Sequence, residues 1–459
     1  MATANLAAKL EGLLGSSRVT AGEDALASFR VDGVSPSAAV HPQSAAEAAE
    51  IIGFAATERL AIVSCGSRSK LELGMPPARY DIALDMTGLC RLAHHDAGDR
   101  TLSVDAGMSL RQLEQALAEK QQFLPLAVPC FETSTVGGAV ASGIDSALRQ
   151  QYGTARDFLI GTEFVDGTGK LCKSGGRVVK NVTGHDLHKL LVGSLGTLCV
   201  ITRLVLRTFP LARASAGFLA NFTAAEGALA SRRRLEAAGL PLSNLEILSP
   251  EIAAILAAIL RSAKCSVPQG LERGGWCTYV SYEGNEAVVK QISNQLGKIA
   301  SEARAAQSEL LDKSIDESLG GMLREAFEWL RFASPAVLLV RLTLPEFTPQ
   351  TIADLSGILK TNSLRGATLL RARGVVYLLV QADSEEGAAL DRLEKAAKNV
   401  ISLVTERHGH TTLLHAPLGL KSRAGIWRGP WENIGLRRRV KQAFDPQSLF
   451  APGRFWGGL

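Results

Sequence analysis

Two glycine-rich runs, Ser134-Thr135-Val136-Gly137-Gly138 and Gly193-Ser194-Leu195-Gly196-Thr197, stand within residues 125–209 and read as a cofactor cradle. Glycine and small hydroxyl residues let the backbone come close to a ligand, and successive N–H groups make an anion-binding concavity suited to a pyrophosphate. A third stretch, Cys65-Gly66-Ser67-Arg68-Ser69-Lys70, follows the apolar run at 60–64. It places small residues and two cations at a strand end, where phosphates are commonly held. This chemistry does not by itself name the nucleotide.

Other reactive residue types are arranged less tellingly. His408, His410 and His415 invite a metal reading, since histidines two apart on a strand share a face. No carboxylate follows them at ligand spacing, and no metal is expected. The cysteines at 65, 90, 130, 172, 199, 265 and 277 form no CxxC pair, which argues against a zinc or iron–sulfur site made by this chain alone. Such a dispersed set suits a reducing cytoplasm, and Cys130 reads as a packing residue.

Repeated strand and helix patterns position these residues. An amphipathic helix opens the chain, and a short strand at 38–42 precedes a helix over 44–57 with Ser44 as its N-cap and Ala48, Ile51, Ile52 and Ala55 on one face. Strands follow at 60–64, 81–86 and 101–104. Ser109 and Gln112 make a capping box for a helix over 109–120. A strand pair at 158–165 and 170–173 brackets the turn Asp166-Gly167-Thr168-Gly169. A helix over 186–191 precedes the second glycine run, and a strand at 198–207 follows it.

Pro210 marks a boundary, after which strand–helix–strand units recur to residue 408 and suggest a ferredoxin-like cap. Residues 310–332 read as an extra amphipathic helical segment, and the tail from 440 shows no long element of its own. The expected division is 1–213, 214–408 and a returning segment 409–459. The 459 residues are 46% hydrophobic, enough for a substantial core in two or three domains. Fifty basic against 45 acidic residues leave +5 with no sustained basic tract, which disfavours nucleic acid as a partner. The longest apolar run, 252–260, is far short of the ~20 residues that span a bilayer.

Taken in order, the series Gly66 to Lys70, Leu73-Gly74, Ala106-Gly107, Pro129, Ser134 to Gly138, Tyr152-Gly153, Asp157, Asp166-Gly167, Gly175 to Leu187, Gly193 to Thr197 and Val200-Ile201-Thr202 resembles the FAD-binding domain of the vanillyl-alcohol-oxidase/p-cresol-methylhydroxylase superfamily. Within it the chain is most similar to the smaller FAD-binding subunits of bacterial glycolate oxidases. Leu195 stands where larger subunits usually carry glutamate, and Gly409 to Pro417, Arg439-Val440-Lys441, Phe444-Asp445-Pro446 and Pro452-Gly453-Arg454-Phe455 also match.

The resemblance implies an α+β fold, a two-lobed FAD-binding domain of the p-cresol-methylhydroxylase type with a ferredoxin-like α/β cap. It implies FAD bound between the lobes, with the pyrophosphate along Gly66, Ser67, Arg68, Ser69, Lys70, Ser134, Thr135, Val136, Gly137 and Gly138, and the adenine near Val200 and Ile201. Pro129, Ser142, Gly143, Tyr152, Gly153, Asp157 and Gly196 complete the implied contacts. Arg68 either lies outward or contacts a phosphate. No histidine lies in the 65–70 loop where covalent members attach flavin, so noncovalent FAD is expected. His185, beside Asp186, and His410 are the candidates to take the proton of an alcohol as hydride leaves for the flavin.

The implied activity is FAD-dependent oxidation of glycolate or a similar 2-hydroxy acid. The implied partners are a larger FAD-bearing subunit and an iron–sulfur subunit, in the cytoplasm or peripherally on the inner face of the membrane. A self-sufficient D-2-hydroxyacid dehydrogenase and an FAD-stabilised structural or electron-relay subunit remain as alternatives.

Overall fold

Local chemistry fixes where the first helices start. Ser44 leaves extended backbone and its side chain accepts from the Glu47 N–H at 3.1 Å, opening the helix Ala45–Glu58. At Ser109 both halves of a capping box are present, and Leu110, Leu113 and Leu117 of the helix Leu110–Ala118 are buried. The computed structural model describes residues 2–144, 146–177, 185–330, 334–371, 374–423 and 433–459, so residues 178–184 of the matching series lie outside the described residues. The chain forms two compact units, one of residues 1–145, 154–211 and 427–459, the other of 146–153 and 212–426.

The first unit holds two principal sheets. One has the spatial order Val19–Thr20, Ala38–Val40, Ile82–Asp85, Ile62–Cys65, the last three strands parallel and the first antiparallel. Parallel strands need a crossover, and Ala45–Glu58, burying Ala48, Ile51, Ile52 and Ala55, connects Ala38–Val40 to Ile62–Cys65 on the far side of Ile82–Asp85. The other sheet is antiparallel, ordered Leu92–Asp96, Thr101–Asp105, Val200–Arg207, Leu159–Val165, Leu171–Gly175. The Asp166 carboxylate closes its last hairpin by accepting from the Thr168 and Lys170 N–H groups. The tail joins the parallel sheet through Ile62 N–H to Leu449 C=O and Ala451 N–H to Ile62 C=O, both 2.8 Å.

The second unit is built on eight antiparallel strands in the order Gln307–Leu311, Ala214–Phe222, Trp276–Gly284, Leu242–Leu248, Arg365–Leu370, Val375–Ala382, Ala336–Thr343, His410–His415. Its core encloses an ion pair, Arg371 Nε to Glu246 Oε1 at 2.6 Å, with the side chains 1% and 0% exposed. The segment 146–153 belongs to this unit, where the Tyr152 hydroxyl donates to the Glu283 carboxylate.

Three expectations need correction. The helix expected over 186–191 is a single 3-10 turn, Leu187–Leu190. Leu310 lies in the edge strand Gln307–Leu311, and the helix starts only at Lys313. Residues 410–415 pair with Ala336–Thr343 and so remain with the second unit, which the first unit's last segment follows from 427. The helix Ile434–Phe444 leads into the tail.

Candidate functional site

In the first unit a cleft of about 840 Å³, open to solvent, lies between the loop at 65–71 and the helix Val136–Ser142, and extends to Leu195, Gly196, Cys199, Val200 and Ile201. Of the residues expected to hold a cofactor, Gly66, Ser67, Arg68, Ser69, Lys70, Ser134, Thr135, Gly137, Gly138, Ser142, Gly196, Val200 and Ile201 line it.

Three other expected residues stand one layer behind. The Pro129 carbonyl accepts from Lys70 Nζ at 2.8 Å and Ser134 Oγ at 3.0 Å. Val136 is fully buried and donates its N–H to the Met108 carbonyl. Gly143 ends the helix in left-handed conformation, φ 62°, where a Cβ would stand 2.7 Å from Gly193 Cα. Tyr152 and Gly153 belong to the second unit, and Asp157 forms a capping box with Thr154.

The two loops offer different things to a ligand. In the 134–138 run the N–H groups of Ser134, Val136, Gly137 and Gly138 donate to Cys130, Met108, Ala106 and the Thr135 hydroxyl. That run therefore offers no row of donors, and Gly137 is required by packing, since a Cβ there would lie 2.7 Å from Ala106 Cβ. Gly193, Ser194, Leu195 and Thr197 likewise spend their N–H groups on neighbouring carbonyls. In the first loop the N–H groups of Ser67, Arg68 and Ser69 have no protein acceptor among the described residues. With Arg68 at φ 66° they form the nest that an anion fits.

The loop is held from behind by charge. Arg68 donates to Asp85 Oδ2 at 2.8 Å and lies 4.6 Å from the Phe29 ring centroid. Burial works against the Asp85 carboxylate, but donors from His41 and Thr87 and the Arg68 guanidinium outweigh it and hold the group below the ordinary carboxylate range. Lys70 reaches across to Ser134, Pro129 and Ser69, tying the first loop to the second. Burial pushes the thiols of Cys65 and Cys199, both on the cleft, well above the ordinary cysteine range, which makes them inert lining groups.

The structure does not gather the two catalytic candidates at this cleft. His185 is exposed and outside its lining. His410 is exposed on the outer strand of the second unit's sheet. His408 sits in left-handed conformation past the helix Gly387–Glu406, so it does not share a strand face with His410.

A neighbouring histidine is the structural one. His188 is 2% exposed, and its Nδ1 meets Ser174 Oγ at 3.1 Å. Burial pulls its pKa below the ordinary 6.5. The unfolded chain then binds the extra proton first, so this contribution is complete above pH 6.5 and is lost as pH falls below it. Urea midpoints measured at pH 7.5 and 5.5 are expected to fall less in the His188→Gln variant than in the wild type; equal falls would remove His188 as the cause.

Arg454 belongs to the matching series Pro452-Gly453-Arg454-Phe455, which by itself gives it no role. Its side chain lines the cleft and is 3% exposed, with NH2 donating to the carbonyls of Leu71 and Leu73, both at 2.6 Å. Its Nε and NH1 are buried without a protein acceptor. A nest of N–H groups with no protein acceptor among the described residues, at the end of a parallel strand, suits a nucleotide cofactor with an anionic diphosphate.

Comparison with known proteins agrees with this chemistry. Residues 36–175 match the FAD binding domain family, and residues 211–455 match the C-terminal domain of FAD linked oxidases. The chain is 26% identical to the glycolate oxidase subunit GlcE of Escherichia coli over 89% of its own length and 97% of that protein's. It is 23% identical to the glycolate oxidase subunit GlcD of Bacillus subtilis, covering 92% and 89%. Against a D-lactate dehydrogenase of Archaeoglobus fulgidus it is 27% identical, covering 90% of each. The fold is that of p-cresol methylhydroxylase, TM-score 0.77 at 14% identity over 100% of this chain and 97% of that one. Matched along both of its parts, the chain belongs to the FAD linked oxidases and carries their FAD-binding domain.

Proposed function

We propose that this flavoprotein is the FAD-binding subunit of a glycolate or related 2-hydroxy acid oxidase complex. The observation that carries the reading is the cleft whose first loop presents the N–H groups of Ser67, Arg68 and Ser69 at the end of a parallel strand. In this reading the diphosphate lies along that loop and against Gly137 and Gly138, and the adenine lies toward Val200 and Ile201. Bound FAD supplies the acceptor for the hydride that leaves the hydroxy-bearing carbon. The residues of the cleft bind and orient it: Lys70 locks the two loops together, and Gly66 and Gly137 let the elements around the cleft pack against Thr135 and Ala106. Attachment is noncovalent.

The 2-hydroxy acid assignment draws on the glycolate oxidase subunits and the D-lactate dehydrogenase among the relatives. The same comparison supports assembly with other subunits, for which we assign a larger flavoprotein and an iron–sulfur protein. No helix among the described residues is long and apolar enough to cross a membrane, and any attachment to the inner face would run through those partners. A second reading, an FAD-stabilised relay subunit, is favoured by His185, which does not line the cleft of its own unit.

Anaerobic mixing of the FAD-loaded chain with glycolate and with D-lactate distinguishes them. Loss of flavin absorbance in the chain alone assigns it the chemistry, and loss only after its partner subunits are added assigns it to the assembly. Failure to take up FAD would sink both readings.

A further inference from the structure

A left-handed residue that is not glycine stands in the middle of the loop that bears the unclaimed N–H groups. Arg68 has φ 66°, where the Cβ of an L-residue crowds the following carbonyl oxygen. In that conformation the N–H groups of Ser67, Arg68 and Ser69 have no protein acceptor among the described residues. A left-handed residue is what turns the successive N–H groups of a nest to one side, so the nest exists only while Arg68 holds this φ. Strain of this kind persists only where the surroundings hold it.

The side chain of Arg68 supplies the hold. Cys65 and Asp85 are partners in the parallel ladder, so Asp85 stands where the loop leaves the sheet. Arg68 donates to its Oδ2 at 2.8 Å, and the guanidinium carbon lies over the Phe29 ring, 4.6 Å from the centroid. The carboxylate is itself fixed: its Oδ1 accepts from the Thr87 N–H at 3.0 Å and from the Thr87 hydroxyl at 2.7 Å, and His41 Nδ1 stands 3.6 Å from Oδ2. His41 in turn meets Thr20 Oγ1 at 2.9 Å and packs against Phe29 with ring centroids 6.0 Å apart. Asp85 is 3% exposed and is not among the residues that line the cleft.

Resting on the assignment of the cleft to FAD, we propose that Asp85 is a positioning residue for the cofactor's diphosphate: by holding Arg68 left-handed it keeps the N–H groups of Ser67, Arg68 and Ser69 turned toward the anion. Arg68 then gives the site its N–H and its backbone conformation, while its guanidinium serves the carboxylate and not a phosphate. Charge alone would give the opposite sign. A carboxylate beside the loop repels a bound diphosphate, so its removal would strengthen binding, whereas loss of a restraint weakens it.

The test uses the full-length apoprotein and two ligands, FAD and ADP, the second sharing the diphosphate but lacking the flavin. Flavin fluorescence quenching gives the FAD affinity, and competition gives that of ADP. Asp85→Asn keeps the Oδ1 that Thr87 uses and puts in place of Oδ2 an amide that cannot accept from Arg68. It is expected to weaken both ligands alike by roughly ten-fold, the equivalent of one left-handed residue no longer held. Adding Arg68→Gly is expected to bring both affinities back to within about three-fold of the wild type, because glycine takes this φ freely. Adding Arg68→Ala instead removes the same charge but keeps a Cβ, and is expected to leave the loss in place. Asp85→Asn binding as well as the wild type, or better, overturns the proposal. Equal affinities in the two double variants, strong or weak, overturn it too, and this comparison decides alone if the single variant does not fold. If the wild-type protein binds neither nucleotide, the cofactor assignment fails and the proposal with it, an outcome distinct from these.

Discussion

Replacing Lys441 with methionine is expected to lower the unfolding free energy of the first unit by about 3–5 kcal/mol, the usual loss when one partner of a buried ion pair is removed. Lys441 sits on the tail helix with its side chain 7% exposed, and its Nζ donates to Asp445 Oδ2 at 2.6 Å. It also donates to the carbonyls of Thr197 and Phe450 at 2.6 and 2.8 Å. One ammonium thus joins the tail helix, the end of the second glycine run and the strand-like tail beside Ile62. Burial lowers its pKa and the Asp445 charge opposes that. Without it the Asp445 carboxylate, fully buried, keeps only the N–H groups of Leu449 and Phe450.

Urea unfolding followed by the fluorescence of the chain measures the loss. The pair is tested by adding Asp445→Asn, since removing the orphaned charge is expected to recover part of it, so that the double variant loses less than the two single losses added together. A Lys441→Met protein as stable as the wild type would mean that the tail is held by its backbone bonds alone.

What was legible in the sequence is what depends on near neighbours. Ser44 with Glu47 and Ser109 with Gln112 are caps decided within one helical turn, and both form. The hairpin at Asp166 is equally local. Many short motifs in one order made the FAD-binding domain readable where each alone would not have.

The distribution of hydrogen bonds within the site was not legible. The glycine runs at 134–138 and 193–197 look like rows of free N–H groups, yet their donors are consumed by carbonyls such as those of Met108, Ala106 and Val140, which only the folded chain brings near. By their place in the loop, Arg68 or Lys70 can add a cation beside a phosphate, with Arg68 free to lie outward instead. Their acceptors, Asp85 and Pro129, lie 17 and 59 positions on, and sequence spacing carries no information about such pairings. Arg454 stands 383 positions from Leu71, and its signal was an arginine directly after a Pro-Gly turn at a chain end that returns to the domain. The last two residues of the edge strand Gln307–Leu311 read as part of the helix that follows because the strand's alternation of intermediate and exposed positions leaves only Leu311 buried. The histidines misled for the opposite reason: adjacency to a motif drew attention to His185, whereas burial selects His188.

Gly66→Ala is expected to weaken FAD binding by roughly a hundred-fold, the upper end of what an overpacked contact costs, ~3 kcal/mol. A Cβ on Gly66 would stand 2.1 Å from Thr135 Oγ1 and 2.8 Å from its Cγ2, distances no side chain tolerates. Thr135 cannot turn away freely, because it is 4% exposed and its Oγ1 accepts the Gly138 N–H at the start of the helix Val136–Ser142. Either the threonine abandons the cap or the first loop moves off the second, and either change alters the surface on which the cofactor would rest. The cause can be isolated with Thr135→Ala, which removes Oγ1 and Cγ2 and leaves a Cβ 3.0 Å away. Alone it costs about 1 kcal/mol through the lost cap. Combined with Gly66→Ala it is expected to restore part of the FAD affinity, although both substitutions taken separately are harmful. Fluorescence titration of the three apoproteins, with circular dichroism to establish that each is folded, decides the point: a double variant no better than Gly66→Ala would show that the glycine is required by something other than its contact with Thr135.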